Sequence, residues 1–188
     1  MNIGNYIQLI RIELIQTHAE VLDWFSLEPK YLHFRPSDKG WTITEILEHI
    51  SLTSKFLLLL IDKGSKKAMN NVKDLNLEEE MKTFDYNLER LNEIQDPAAF
   101  IWTRPDHMVS RGKLSEFEIK AIFIDQLRQC LNHLDDLKNG EGLLYKTMMS
   151  VNDLGKLNVY EYIYFLVLHA KRHIVQMKEN VIEYNSTL

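Results

Sequence analysis

Five places in this chain of 188 residues announce a helix in the same way. Asn5…Gln8, Thr42…Glu45, Asn76…Glu79, Ser115…Glu118 and Asn158…Glu161 each set a short capping side chain three residues before a Glu or Gln. That spacing lets the first side chain accept from the later backbone N–H while the later side chain reaches back to the cap's own N–H. Apolar residues at helical spacing follow each signal. With only 7 Gly and 4 Pro the chain also lacks the turn formers that an all-β fold needs. A helical protein is predicted.

Taken in order, helix one covers about 5–27 with Ile7, Ile10, Leu14, Val21 and Phe25 on one face. Pro29 and Pro36 bracket an irregular connection. Helix two starts at Thr42 and runs to about Asp62, with Ile43, Ile46, Leu47, Ile50, Phe56 and Leu60 turned inward and His49 on the same face. Residues 62–73, DKGSKKAMNNVK, are polar and turn-rich and read as a mobile loop. An accessory helix follows at about 76–95, with Leu77, Met81, Phe84, Leu88 and Leu91 in register, ended by Asp96-Pro97. Residues 98–114 read as irregular. Helix three spans Ser115 to about Lys138, its stripe being Phe117, Ala121, Ile124, Leu127, Leu131 and Leu134, and Asn139-Gly140 stops it. LLYKTMM is a candidate extended piece before the last helix, which begins near Leu157 and reaches at least Met177. The expectation is one all-α domain over 1–188: a four-helix bundle with an accessory helix between helices two and three. That connection is long enough for a crossover, so a simple up-down-up-down order is not required.

Charge and cysteine content narrow the function. A net charge of −5 argues against a dedicated nucleic-acid binder. The single Cys130 has no intramolecular partner and sits in a helical pattern as a small buried residue. The longest apolar run, Phe56–Ile61, is far short of the roughly 20 residues a membrane span needs, and the N-terminal stretch lacks signal-peptide features. A cytoplasmic location without membrane association is expected.

The chemistry concentrates on the last helix. His169 and His173 lie four residues apart, one above the other on the face that also carries Tyr162, Phe165, Leu166, Gln176 and Met177. Two imidazoles so placed can share one metal ion, and His49 on the inward face of helix two is the candidate third ligand. A histidine on an apolar face is equally served by a hydrogen bond inside the core, so spacing alone leaves both readings open. Three imidazoles would leave a coordination position for water or substrate, where an ion brings the pKa of water toward ~7 or takes a thiol as thiolate. Two familiar arrangements are excluded. A zincin needs Glu after the first histidine, where this chain has Ala170. A carboxylate-bridged di-iron site needs E-x-x-H pairs, and no histidine here has Glu three residues before it.

The other candidates are assigned blander roles. His18 borders the helix-one stripe; His33, His107 and His133 have no comparable partners in sequence. Lys171 and Arg172 read as a solvated face. Glu45 and Glu161 read as caps, and Gln176, three residues after His173, as a hydrogen-bond partner for that ring. No side chain declares itself as a general base, and the catalytic residues stay unknown at this stage.

The segments YLHFRPSDKGWTITEILEHI and LGKLNVYEYIYFLVLHAKRHIVQM resemble the two hallmark segments of the DinB-like superfamily, which includes the YfiT-like proteins described as metal-dependent hydrolases. Trp41, Thr42, Glu45 and His49 match the family's "kWs-x-x-E-x-x-x-H" segment, and Gly155, Leu157, Glu161, His169, His173 and Gln176 match the second. The resemblance implies an up-down-down-up bundle in which His49, His169 and His173 bind one divalent ion, zinc or nickel. It further implies a metal-dependent enzyme acting on a small molecule, thiol S-transferase-like with a low-molecular-weight thiol or hydrolase-like with water. A non-catalytic, stress-associated bundle clamped by a structural ion is the alternative, and a homodimer is expected on general grounds.

Overall fold

The helix-start signals at Thr42, Ser115 and Asn158 are complete capping boxes in the computed structural model, which describes residues 2–100 and 105–187. They open α3 (Ile43–Asn71), α5 (Glu116–Asp136) and α6 (Val159–Ser186). Asn76 caps the short α4 (Leu77–Thr83) through its side chain alone. The first signal is displaced: Asn2, not Asn5, caps α1 (Ile3–Trp24), its Oδ1 accepting from the Asn5 N–H at 2.9 Å. A single turn, α2 (Pro29–Leu32), completes the α-helices among the described residues. The extended piece expected at LLYKTMM is real. Lys146–Met149 (β1) pairs antiparallel with Gly155–Asn158 (β2), Lys146 opposite Asn158 and Met149 opposite Gly155. Residues 101–104 of the irregular stretch lie outside the described residues.

Side-chain pairs fix the direction of each long helix. Glu13 meets Lys171 and Glu20 meets Lys178, so α1 and α6 run parallel. His49 meets His169 and His173, while the Trp41 carbonyl accepts from Asn180, so α3 runs against α6. Thr44 meets Glu116 and the Ser51 carbonyl accepts from Gln126, making α3 and α5 parallel. Arg11 pairs with Asp135 and His18 stacks on Phe123, making α1 and α5 antiparallel. The order is up-down-down-up, as the resemblance implied. No helix among the described residues is long and apolar enough to cross a membrane.

Four local expectations are corrected. The polar stretch 62–73 is not a loop: α3 continues through it to Asn71. Gly64, Ser65 and Ala68 lie on its buried side, where a Cβ on Gly64 would sit 3.3 Å from Val159 Cγ2, and Asn71 Nδ2 donates to the Leu144 carbonyl. Small residues at a close helix contact look like turn formers when only their polarity is read. The accessory helix stops at Thr83 instead of reaching 95. Phe84 and Tyr86 set their rings edge-on against Tyr6 at 5.6 and 5.4 Å, and Asp85 and Asn87 accept from the backbone two residues on. Those aromatic and local side-chain bonds draw 84–88 out of the helix before a 3-10 segment, Glu89–Gln95, resumes.

On α5 the predicted stripe is rotated. Phe117 and Ile124 are 81% and 49% exposed, whereas Ile119, Phe123, Gln126, Cys130 and Leu134 are buried. Gln126 belongs to the core because it bonds the Ser51 carbonyl, a fact invisible to a count of apolar letters. Phe56 on α3, expected inward, is 38% exposed.

On α6, residues Val159 through Ala170 are buried without interruption. This half has no solvated face because α1 and α3 flank it while the 3-10 segment and the β-hairpin cover the rest. Glu161, 2% exposed inside this wall, accepts from the Asn158 N–H and from Arg90. Two apolar clusters result. One gathers around the buried half of α6 and α1, the other around Ile46, Leu47, Ile50, Ala170, Ile174 and Met177. His49, His169 and His173 fall at the seam between them.

The tightest contact near this core predicts a simple test. A Cβ on Gly142 would lie 2.7 Å from the ring of Tyr160, which is fully buried and whose hydroxyl accepts from the Gly142 N–H. Gly142→Ala is therefore expected to destabilise by about 1–3 kcal/mol, lowering the thermal midpoint by roughly 2–10 °C. Calorimetry or urea unfolding of the variant checks this.

Candidate metal centre

His169 and His173 reach the site from consecutive turns of α6, and His49 reaches it from the antiparallel α3. His49 and His169 are 3% and 2% exposed; His173 is half-buried. The three ring centroids stand 4.6–5.2 Å apart, and one nitrogen from each ring lies within 4.8 Å of the others. All three expected residues are brought together.

Hydrogen bonds orient the rings. His49 Nδ1 lies 2.6 Å from the Met108 carbonyl, which can only accept, so Nδ1 carries the proton and Nε2 is left with a lone pair. His173 Nδ1 lies 2.9 Å from Gln176 Oε1, which fixes the same tautomer and bears out the expectation for Gln176. His173 Nε2 then faces His169 Nε2 at 3.2 Å. Such an approach requires a proton or a cation between the two nitrogens. Two imidazoles on a tetrahedral ion at about 2.05 Å hold their nitrogens roughly 3.3 Å apart, so this pair already has the spacing of a chelate edge. Burial holds His169 well below the ordinary histidine pKa, and the neighbouring His173, His49 and Arg172 push it the same way. A neutral ring is the form that ligates. The donor set fits a divalent metal ion.

The remaining candidates divide clearly. Glu45 is engaged by its capping box and by Arg35, and Glu161 by its cap and Arg90. His18 stands apart on α1: Nδ1 donates to the Leu14 carbonyl and the ring stacks on Phe123 at 4.5 Å. His33 pairs with Glu116, and the His107 side chain lies outside the described ones. Cys130 is 1% exposed, and burial pushes its thiol up to about 12, so it is an inert core residue.

Two residues near the site were misread or missed. Arg172 does not join a solvated face; it is half-buried and donates to the Asp96 and Pro97 carbonyls, tying that turn to the wall beside the histidines. Glu48, next to His49, is only 3% exposed and received no role from the sequence. Its carboxylate accepts from the Ser110 hydroxyl and, at 2.8 Å, from the Gly112 N–H. It thereby holds the strand of chain that presents the Met108 carbonyl to His49. Gly112 takes a left-handed φ of 59°, a conformation that glycine adopts without strain. The sequence signal was a Glu set directly between the inward-facing Leu47 and His49.

A cavity of about 510 Å³ adjoins the histidines, within the range of small-molecule sites. Its walls include Phe56, Leu57, Leu60, Tyr162 and Phe165, and among the described residues Arg172 and Glu179 are its charged members. Fold and site together define a helical bundle with a histidine cluster opening on an apolar cavity. The chain belongs to the DinB superfamily, whose family profile matches residues 13–177 and so covers both histidine segments and everything between them. No curated protein and no solved structure matches it.

Two outcomes follow from this geometry. Glu48→Ala should raise amide hydrogen exchange over residues 108–112 by about tenfold or more while α6 stays protected, and Glu48→Gln, which keeps an acceptor for Gly112, should lose less. The second concerns pH. Burial lowers His18 to about 4 from its ordinary 6.5, and His169 moves in the same direction. The unfolded chain therefore takes up these protons first as the pH falls. Stability of the metal-free protein should be fully present well above pH 6.5 and decline as the pH falls through it, with a slope approaching about 1.4 kcal/mol per pH unit for each such group. Urea unfolding between pH 7.5 and 5 measures the slope, and His18→Gln should make it shallower.

Proposed function

We propose that His49, His169 and His173 hold one divalent ion, zinc or nickel, and that the protein is a metal-dependent enzyme acting on a small molecule. The observation that carries this reading is the facing pair of Nε2 atoms at 3.2 Å, oriented through His173 and Gln176 and set against an apolar cavity. Such an ion, when bound, supplies Lewis acidity that favours the deprotonated form of a thiol or of water. The chain's own residues do the rest. The Met108 carbonyl and Gln176 keep the Nδ1 protons of His49 and His173 in place, so both rings offer Nε2 to the ion. The apolar walls lower the local dielectric and restrict water around the reacting atoms. Three protein donors beside an open cavity leave room for a substrate or thiol ligand, which favours a catalytic over a structural ion. A thiol S-transferase-like reaction on an electrophilic carbon and a hydrolase-like reaction both suit this arrangement, with the substrate small enough for the cavity.

Elemental analysis of protein purified without a metal-affinity tag tests the reading. About one equivalent of a divalent ion is expected, lost in the His169→Ala/His173→Ala double variant, and added zinc should raise the thermal midpoint of the metal-free parent alone. Protein with no metal above background, and no thermal response to zinc or nickel, would return the three rings to the role of core histidines.

A further inference from the structure

The cavity is not uniform along its length. Because α3 and α6 run antiparallel, their cavity-lining residues can be matched level by level. At one level stand His49, His169 and His173, followed toward the C-terminal end of α6 by Gln176 and Glu179. In the other direction the wall passes through Thr53 and then becomes Leu57, Leu60, Met148, Met149, Tyr162 and Phe165. Leu60 lies eleven residues beyond His49, roughly 16 Å of helix. Among the described residues this far end carries no charged side chain. The hairpin floors it, held to α6 by the Tyr162 hydroxyl, which donates to the Met148 carbonyl at 3.0 Å.

Two large apolar side chains at this end stay partly in water. Phe56 is 38% exposed and Met148 is 63% exposed, although both line the cavity. A small, wholly polar substrate would leave this surface unused. Unbranched Met side chains adapt to apolar ligands of differing shape, and Met148 and Met149 both line the cavity here.

From this division we infer that the site takes an amphipathic small molecule, with a metal-ligating polar head at the three histidines and an apolar tail of several carbons along the Leu57–Leu60 and Met148–Met149 walls. The inference rests on the proposed metal site and adds the chemical class of its ligand. Head and tail are recognised by different parts of one slot, so tail length should change affinity without touching metal binding. Each methylene buried against these walls is expected to tighten binding by about three- to fourfold until the slot is filled.

A homologous series of straight-chain alkyl hydroxamates, from acetohydroxamate to decanohydroxamate, titrated by calorimetry into the zinc-loaded protein, provides the test. Affinity should climb by that factor per methylene and then level off. Phe56→Glu and Met148→Glu alter partly exposed positions, so they should fold and bind zinc as the parent does, yet show a much shallower climb. A flat series on protein that holds its zinc would overturn the inference and leave the metal-enzyme reading standing. A climb of equal size and equal affinity in zinc-free protein would also overturn it, since the tail would then bind without reference to the histidines. Failure to load zinc at all would instead sink the metal-enzyme reading itself.

Discussion

The antiparallel contact between α3 and α6 is the constraint on which the rest depends. It sets His49 level with His169 and His173, and it lets α3 approach α6 closely where Gly64 meets Val159. The other helices then have few choices. α1 lies parallel to α6, tied by Lys171 to Glu13 and Lys178 to Glu20, and α5 packs beside α3 through the Gln126 bond to Ser51. Surface ion pairs of this kind contribute little stability, but they report direction and register. The apolar contacts at the seam supply the energy, and the histidines occupy the place where the two clusters leave a gap.

Polar groups near that gap act in relay. Glu48 fastens Ser110 and Gly112, the same segment offers the Met108 carbonyl to His49, and Arg172 fastens Asp96 and Pro97 on the opposite side. Buried carboxylates and guanidinium groups are unfavourable unless fully bonded, and here each is bonded to backbone of the connection between α4 and α5. The connection that looks like decoration on a bundle is thus part of the wall around the site.

Much of this was legible in the sequence, and the reasons are specific. Capping boxes at Thr42, Ser115 and Asn158 are local bonds between residues three apart, so they survive whatever packs around them. The i and i+4 spacing of His169 and His173 is fixed by helix geometry, and Gln176 follows from the same arithmetic. His49 was reached by face assignment on a second helix and gained weight from the family pattern around Trp41. What escaped depended on partners far along the chain. Gly64, Ser65 and Ala68 read as loop because the sequence does not show that this stretch is buried; the neighbours of Gly64, Val159 and Tyr145, are supplied by later segments. The α5 stripe was misphased because a bonded Gln126 replaced an apolar residue. Glu48 was passed over and Arg172 misread because their partners, the Ser110 hydroxyl and Gly112 N–H for one and the Asp96 and Pro97 carbonyls for the other, lie more than sixty residues away in the chain.

The uninterrupted burial of α6 between Val159 and Ala170 has a consequence for biogenesis. Of the described helices α6 is the last to leave the ribosome, yet α1 and α3 both pack against it. Until it emerges, α1 and α3 expose apolar faces that have no other cover, and the two histidine-bearing segments are separated by most of the chain. Long-range closure of this kind slows folding and prolongs the exposure of sticky intermediates. Docking of α6 is therefore the step that buries those apolar faces and brings the histidine-bearing segments together.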